Sequence, residues 1–341
     1  MKKIITLLSI IPYLIISQEV TTEYMLHDGL ERSYILYVPQ SYSSNTPVPL
    51  VLNLHGYSSN GGQQMIYSDF YNIAETEGFI LVHPEGTFDS NEFQFWNSGD
   101  LSEVDDVGFL STLIDNIVSE YNINEDRIYS MGMSNGGFMS YRLACELSDK
   151  IAAIASVTGS MSTTQLNSCN PSNPVPIMQI HGTSDPTVLY NGSFGIEPIE
   201  DVVLFWVNNN YCNTQPVFNN IPDINTIDLC TAEHYLYENG NNDSSVELYK
   251  IINGGHTWPG AAIPLVGNNT NQDFNASEKI WEFFNKYDIN GLSNNNSQIG
   301  YFETKKTILK TIDILGRCSN KNGTHLNIYN DGSVEKKHLL K

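Results

Sequence analysis

The chain has 341 residues, of which 40% are hydrophobic, 11% aromatic and 16% charged, a globular composition that excludes a disordered, collagen-like or coiled-coil protein. Lys and Arg total 17 and Asp and Glu total 38, so the formal net charge is −21. Because so acidic a chain repels polyphosphate, we expect no nucleic-acid partner and favour neutral over polyanionic substrates.

The first 17 residues have the pattern of a secretory signal peptide. Lys2 and Lys3 precede an apolar run over residues 4–16, and Ser17 is the small residue expected at a cleavage site. The run is shorter than the roughly 20 residues that a membrane-spanning helix needs. We therefore predict cleavage near Ser17, a secreted protein (extracellular or on the cell surface) and no stable membrane insertion.

Short apolar strands alternate with amphipathic helices from residue 18 onward. Two edge strands are predicted at 20–26 and 33–38, joined by a turn. Five buried strands, each ending at a glycine-containing loop, are predicted at 49–54, 79–83, 127–131, 176–180 and 246–252. Helices are predicted at 65–77, 107–121, 138–147, 199–208 and 277–287. The alternation predicts an α/β domain with a mostly parallel central sheet, helices on both faces and an active site at the carboxyl ends of the strands.

The C-terminal part of the chain differs from the rest in composition. Residues 290–300 are rich in Asn, Ser and Gly, which is typical of a linker. Residues 301–341 contain eight Lys and Arg against four Asp and Glu, with alternating runs at 307–314 and 326–329 and a hairpin-turn sequence at 330–332. We therefore predict a signal peptide at 1–17, a main domain at 18–289, a linker at 290–300 and a small β-rich tail at 301–341.

A G-x-S-x-G motif spans Gly132 to Gly136, between a predicted strand and a predicted helix. The sharp turn that joins them would expose Ser134 at the end of the strand, and the flanking glycines would remove clashing side chains. The helix N-terminus would favour negative charge developing beside the serine. We predict that Ser134 is a nucleophile; the alternative is a helix-capping serine in a glycine-rich turn.

A serine nucleophile needs a base, and the base needs an orienting carboxylate. Asp185 and His256 each follow a predicted strand, and they come after the serine in the chain order that this turn requires. Asp185 is the predicted acid, or else a turn residue before proline. His256 is the predicted base, or else a structural loop residue. His55 and His181 are predicted to be packed, hydrogen-bonded histidines.

An oxyanion hole needs two backbone N–H groups that face the nucleophile. The first is predicted to come from Asn135, immediately after the serine. The second is predicted to come from Tyr57, in the loop after the first buried strand, with the amide of Gly56 as the competing choice.

Export permits disulfide bonds among the five cysteines. Proximity in sequence favours Cys145 with Cys169 and Cys212 with Cys230, although four cysteines allow three pairings. Cys318 lies alone in the tail. The chain has no C-x-x-C pair and no nucleotide-binding loop, so we expect no metal and no cofactor.

Seven motifs follow one another in a familiar order: LHGYSSNGG, FILVHPEGT, FWN, DDVGF, GMSNGG, HGTSDPTV and GGHTWPG. Residues 24–288 thereby resemble the secreted esterases that are similar to poly(3-hydroxybutyrate) depolymerases and feruloyl esterases, which are related to carbohydrate esterase family 1. The resemblance implies an α/β-hydrolase fold and a serine carboxylesterase that uses Ser134, Asp185 and His256. In the matching motifs, Trp96 and Trp258 are expected either to line an acyl or aryl pocket or to pack in the core.

The resemblance implies neutral ester substrates: feruloyl or acetyl groups on polysaccharides, or hydroxyalkanoate polyesters. The alternatives are a serine peptidase on the same fold and a non-catalytic surface-binding protein. In the tail, TIDILGR and IYNDGSVEKK resemble the C-terminal sorting domains of the type IX secretion system. That resemblance implies contact with the secretion machinery and removal of the tail; the alternative is a small binding module.

Overall fold

A computed structural model of the chain describes residues 19–99, 102–263 and 269–293, together with the backbone of three strands between 308 and 339. The predicted signal peptide, the hairpin turn at 330–332 and Cys318 lie outside the described residues. The chain forms two compact units, Met1–Ser293 and Asn294–Lys341. No helix among the described residues is long and apolar enough to cross a membrane.

The larger unit is built on a ten-stranded sheet. Its strands are β1 Glu19–His27, β2 Leu30–Val38, β3 Val48–Leu54, β4 Ile80–Pro84, β7 Ile123–Met133, β8 Ala153–Val157, β9 Ile177–Gly182, β10 Val217–Ile221, β11 Thr231–Tyr237 and β12 Val246–Ile252. Two short hairpins pair β5 Thr87–Phe88 with β6 Gln94–Phe95, and β13 Tyr287–Asp288 with β14 Gly291–Leu292. The helices are α1 Gly61–Ser68, α2 Tyr71–Glu77, α3 Asp106–Glu120, α4 Asn135–Glu146, α5 Thr163–Ser168, α6 Ile199–Asn209 and α7 Ala276–Phe284, with a 3-10 turn at Asn241–Asp243.

The strand order across the sheet is β1-β2-β4-β3-β7-β8-β9-β12-β11-β10. The six central strands, β4 to β12 in this order, run parallel, and two antiparallel strands flank them on each side. This is the α/β-hydrolase arrangement that the sequence predicts. It brings the loops after β3, β7, β9 and β12 to one edge of the sheet, because the carboxyl ends of parallel strands lie together.

The core lies on both faces of the sheet because alternate residues of a strand point to opposite sides. Along β3, Leu50 belongs to one apolar cluster and Val51 to the other, and both are fully buried. Helices α3, α4 and α6 contribute to the first cluster, and α2 and α7 contribute to the second. A continuous apolar strand such as β3 is stable only when both of its faces are covered in this way.

Several local features differ from the predicted elements. The helix predicted at 65–77 is two helices, because Asp69 has a left-handed backbone with φ 45° between them. Strand β2 is not an edge strand, since it pairs with β4 as well as β1. The strands β8, β10 and β11 and the helix α5 were not predicted. The predicted strands at 49–54 and 246–252 agree with β3 and β12 to within one residue.

The smaller unit contains an antiparallel sheet of β15 Ile308–Asp313, β16 Gly323–Tyr329 and β17 Val334–Leu339. Strands are therefore present where alternating runs were predicted at 307–314 and 326–329. The assignment of residues 301–341 as a sorting tail, and the boundaries at 289 and 300, stay predictions.

Candidate active site

Ser134 occupies the turn between β7 and α4 with φ 54° and ψ −119°. A residue other than glycine adopts such a backbone only where its surroundings enforce it, at a cost of about 1–3 kcal/mol. The Ser134 N–H donates to Val157 O at 2.8 Å, and Ser134 O accepts from the Phe138 N–H at 3.0 Å. The serine is thus fixed to β8 on one side and to the first turn of α4 on the other.

The two glycines of the motif allow β7 and α4 to approach the end of β3. A Cβ atom added to Gly136 would lie 2.2 Å from Leu54 O, and one added to Gly132 would lie 2.5 Å from the Gly136 carbonyl carbon. Neither contact is with a movable side chain. The tight turn that presents Ser134 therefore requires glycine at both positions.

Asp185 and His256 form a hydrogen-bonded pair, with His256 Nδ1 2.7 Å from Asp185 Oδ2. The other carboxylate oxygen, Oδ1, accepts from the backbone N–H groups of Thr187 at 2.8 Å and Val188 at 2.9 Å. Burial opposes ionisation of Asp185, but hydrogen bonds from His181 and His256 outweigh it and hold the pKa of the carboxyl well below its usual value. Asp185 is therefore an anion at neutral pH.

Ser134 and His256 line the same cavity, which has a volume of about 710 Å³. Its remaining walls come from the loop after β3, from α1 and from a loop after β12. The other lining residues are Gly56, Tyr57, Ser58, Ser59, Gln63, Gln64, Ile66, Tyr67, Asp69, Met133, Ala262 and Ile263. Large apolar side chains are exposed at this opening: Tyr57 is 47%, Ile66 67% and Ile263 70% exposed. Tyr57 was expected at the site through its backbone amide, but Ile66 and Ile263 were not predicted, because exposure at a cavity has no local sequence signal.

The expectation that Trp96 and Trp258 line a substrate pocket is corrected by the structure. Both indoles are buried, at 0% and 1% exposure, and neither contributes to the cavity wall. Trp258 Nε1 donates to Ser277 Oγ at 3.0 Å, and Trp96 Nε1 donates to His55 O at 3.0 Å. Both side chains belong to the core, which was the alternative left open from sequence.

The two predicted oxyanion donors lie on either side of Ser134. Asn135 is the first residue of α4, and Tyr57 lines the cavity together with the serine. The loop that carries Tyr57 is close, since a Cβ atom added to Gly56 would lie 3.4 Å from Ser134 Cβ. Within the described residues, neither the Tyr57 N–H nor the Asn135 N–H donates a hydrogen bond. Both amides can therefore donate to a ligand, which fits the predicted role.

His55 and His181 are fully buried and hydrogen-bonded, as predicted. His55 Nε2 accepts from the Gly86 N–H at 2.9 Å, so Nδ1 carries the proton and donates to Gly56 O at 2.8 Å. Burial lowers the pKa of His55 to about 4. His181 Nε2 lies 2.8 Å from Val188 O and 3.3 Å from Asp185 Oδ2. The contact of His181 with Asp185 was not predicted. Its only sequence signal is that the two residues are four positions apart in HGTSD.

One of the two suggested disulfide bonds is present. Cys145 and Cys169 are bonded, with their Cα atoms 5.0 Å apart. Cys212 and Cys230 are free and buried, which corrects the pairing suggested by their proximity in sequence. The reason is that Cys212 packs in the first apolar cluster and Cys230 in the second, on opposite faces of the sheet.

Comparisons with known proteins point to one family. Residues 32–201 match the profile of the family described as Esterase PHB depolymerase. The chain is 31% identical over 168 residues to a bifunctional acetylxylan esterase/xylanase of Neocallimastix patriciarum, and the match covers 49% of this chain and 23% of that protein. It is 30% identical over 237 residues to feruloyl esterase B of Piromyces equi, covering 66% of this chain and 42% of that protein. The chain thus spans less than half the length of these two curated relatives.

Among solved structures, the acetyl xylan esterase from Aspergillus awamori superposes with a TM-score of 0.54 at 13% identity. The superposition covers 77% of this chain and 98% of that one. At this identity the likeness concerns the fold, which is the same α/β-hydrolase arrangement.

Proposed function

Because the chain belongs to the Esterase PHB depolymerase family through its residues 32–201, we propose that it is a serine carboxylic-ester hydrolase. The observation that carries the proposal is the shared cavity of Ser134 and His256, together with the 2.7 Å pair between His256 and Asp185. A strained serine at the end of a parallel strand, a histidine and a buried carboxylate in this chain order are the parts that acyl transfer needs.

In the proposed reaction, Ser134 Oγ attacks the acyl carbon of the ester. His256 Nε2 accepts the hydroxyl proton, because Nδ1 is held by Asp185. The negative charge on the former carbonyl oxygen accepts hydrogen bonds from the amides of Tyr57 and Asn135. Collapse of this intermediate expels the alcohol, which takes the proton from His256, and leaves an acyl-serine.

The second half of the reaction repeats these steps with water. His256 Nε2 removes a proton from the water, whose oxygen attacks the acyl carbon, and the carboxylic acid leaves as Ser134 Oγ regains its proton. The low pKa of Asp185 keeps it ionised throughout, so it stabilises the imidazolium that forms in each half.

The substrate class follows from the cavity and the charge. A space of about 710 Å³ with apolar side chains at its opening suits a neutral acyl group, while a net charge of −21 disfavours polyanions. We propose feruloyl or acetyl esters of polysaccharides, or hydroxyalkanoate polyesters, as substrates. The names of the two curated relatives, an acetylxylan esterase and a feruloyl esterase, support the polysaccharide esters.

We further propose that the enzyme is secreted after removal of residues 1–17. The C-terminal tail, residues 301–341, would engage the type IX secretion machinery and then be removed or retained at the surface. The support for both steps is the sequence pattern at each end of the chain.

Hydrolysis of p-nitrophenyl acetate by the wild type and by Ser134→Ala tests the proposal. We expect the variant to lose on the order of 10⁶-fold in kcat while its circular dichroism spectrum is unchanged. A variant that keeps a tenth of the wild-type rate would exclude Ser134 as the nucleophile. A panel of methyl ferulate, acetylated xylan and a short hydroxyalkanoate polyester then identifies the acyl group. A wild type inactive on all three would favour a peptidase or a non-catalytic binding protein.

A further inference from the structure

We propose that Trp96 is a positioning residue that holds both halves of the oxyanion hole in register with Ser134. This inference rests on the proposed esterase function. Trp96 lies outside the cavity and is fully buried, so it has no route to the substrate except through its neighbours. Its hydrogen bonds reach the backbone before Tyr57 and the side chain of Asn135, the two residues whose amides would bind the oxyanion.

The first half is the peptide between Gly56 and Tyr57. Trp96 Nε1 donates to His55 O at 3.0 Å, and His55 Nδ1 donates to Gly56 O at 2.8 Å. Two successive carbonyl groups are therefore fixed. In a trans peptide the N–H group points opposite to the C=O group, so fixing Gly56 O also fixes the direction of the Tyr57 N–H.

The second half is the start of α4. The Trp96 backbone N–H donates to Asn135 Oδ1 at 2.6 Å, and Trp96 O accepts from Asn135 Nδ2 at 3.0 Å. This reciprocal pair ties the side chain of Asn135 to the same residue that holds the loop after β3. The distance between the two amides is then set by one rigid, buried residue rather than by two independent loops.

Trp96 is itself anchored from the opposite side. The N–H of the next residue, Asn97, donates to Asp106 Oδ2 at 2.7 Å, and Asp106 Oδ1 lies 2.7 Å from Arg32 in a buried ion pair. The Arg32 guanidinium also lies over the ring of Phe109, 3.8 Å from its centroid. The segment is thus held in place before any substrate binds, which is the condition for preorganised stabilisation of charge.

Packing alone does not require a hydrogen bond from a buried indole in this protein. Trp206 and Trp281 also bury their Nε1 atoms, and within the described residues neither atom has a hydrogen-bond partner. Burial by itself therefore does not explain why Trp96 Nε1 is bonded to His55 O. Trp206→Phe is a matched control, because it makes the same change in a fully buried side chain of α6 that does not line the cavity and whose Nε1 has no partner among the described residues.

The test compares Trp96→Phe with Trp206→Phe in the full chain. We expect Trp96→Phe to lower kcat for p-nitrophenyl acetate by about 10- to 100-fold and to change KM less than threefold. The reason is that a misplaced donor weakens the hydrogen bond to the developing oxyanion but not the binding of the intact ester. The inhibition constant of a boronic acid, which forms a tetrahedral adduct with serine, should rise by the same factor. Trp206→Phe should leave kcat and this constant within twofold, with a comparable loss of melting temperature.

Asn135→Ala provides a second variant, since it removes the contact with Trp96 but keeps its own backbone amide. Because Trp96 contacts Asn135 through its backbone, Trp96→Phe removes only the bond to His55 O, and Asn135→Ala removes only the contact with the start of α4. If one residue sets the position of both amides, the double variant should be much less impaired than the product of the two single effects. If Trp96→Phe keeps wild-type kcat, or loses activity without weakening the boronic acid, the inference is wrong while the esterase proposal stands. A wild type without Ser134-dependent ester hydrolysis would overturn both.

Discussion

Replacing Asp185 by Asn tests how the buried carboxylate controls His256. The substitution keeps the size of the side chain and its Oδ1 contacts with the amides of Thr187 and Val188, at 2.8 and 2.9 Å. It changes the atom that faces His256 Nδ1, 2.7 Å away, from an acceptor to an NH₂ donor. His256 Nδ1 must then accept, so the ring proton moves to Nε2, the nitrogen that has to receive the serine proton.

The size of the effect follows from this tautomer change. A histidine locked in the wrong tautomer typically costs about 10⁴-fold in kcat, equivalent to roughly 5.5 kcal/mol of lost transition-state stabilisation. The fold should tolerate the change because both backbone contacts of Oδ1 survive, but it loses the hydrogen bonds from His181 and His256 that lower the pKa of the carboxyl. We therefore expect a large loss of kcat, little change in KM and a folded protein whose melting temperature is below that of the wild type.

Steady-state hydrolysis of p-nitrophenyl acetate and thermal unfolding measure these quantities on the same samples. Asp201→Asn is the control, because Asp201 is an exposed carboxylate in the first turn of α6. It should retain full activity. If Asp185→Asn kept more than a tenth of wild-type kcat, the orienting acid would be another residue, and a loss in Asp201→Asn would identify it.

Two further predictions concern stability and the domain boundary. Burial lowers the pKa of His83 to about 3 and the pKa of His55 to about 4, whereas an unfolded histidine has a pKa near 6.5. Below pH 6.5 the unfolded chain therefore binds protons that the folded chain does not. The free energy of unfolding, measured in urea, should fall by about 2 kcal/mol per histidine between pH 7 and pH 5. A free energy that does not change with pH would show that both histidines bind protons as readily in the folded chain as in the unfolded one. A fragment of residues 18–293 should fold and hydrolyse p-nitrophenyl acetate at the full-length rate, because β13 and β14 pair with each other and the Ser293 N–H donates to Lys286 O; an insoluble or inactive fragment would mean that the tail belongs to the catalytic fold.

The parallel strands and the candidate triad were predictable because their signals are local. A buried parallel strand is a short apolar run, and each run that ends at a glycine-containing loop places that loop at the same edge of the sheet. The turn at Ser134 is specified by two glycines, each of which meets backbone atoms of a neighbouring segment. Asp185 and His256 could be placed because the order of strands in the chain brings their loops to that edge.

Other features depend on what lies across the fold and could not be predicted. Cys212 and Cys230 are close in sequence, but the sheet separates the clusters in which they pack. Trp96 and Trp258 stand in motifs beside the site, yet whether an indole faces a cavity or the core is decided by residues far away in sequence. His55 and Gly86 make the hydrogen bond that assigns the tautomer of His55, and they are 31 residues apart.

In the proposed esterase, the residues that would perform the chemistry and the residues that would select the substrate lie in different parts of the fold. Ser134, Asp185 and His256 follow central strands, and the positions of the first two are fixed by buried backbone hydrogen bonds. The most exposed apolar side chains of the cavity wall, Ile66 and Ile263, come by contrast from α1 and from a loop after β12. Changes at these exposed positions alter the shape of the acyl site without disturbing the strained turn or the buried carboxylate. Under the proposed esterase function, the acyl preference would therefore depend on those two segments rather than on the sheet.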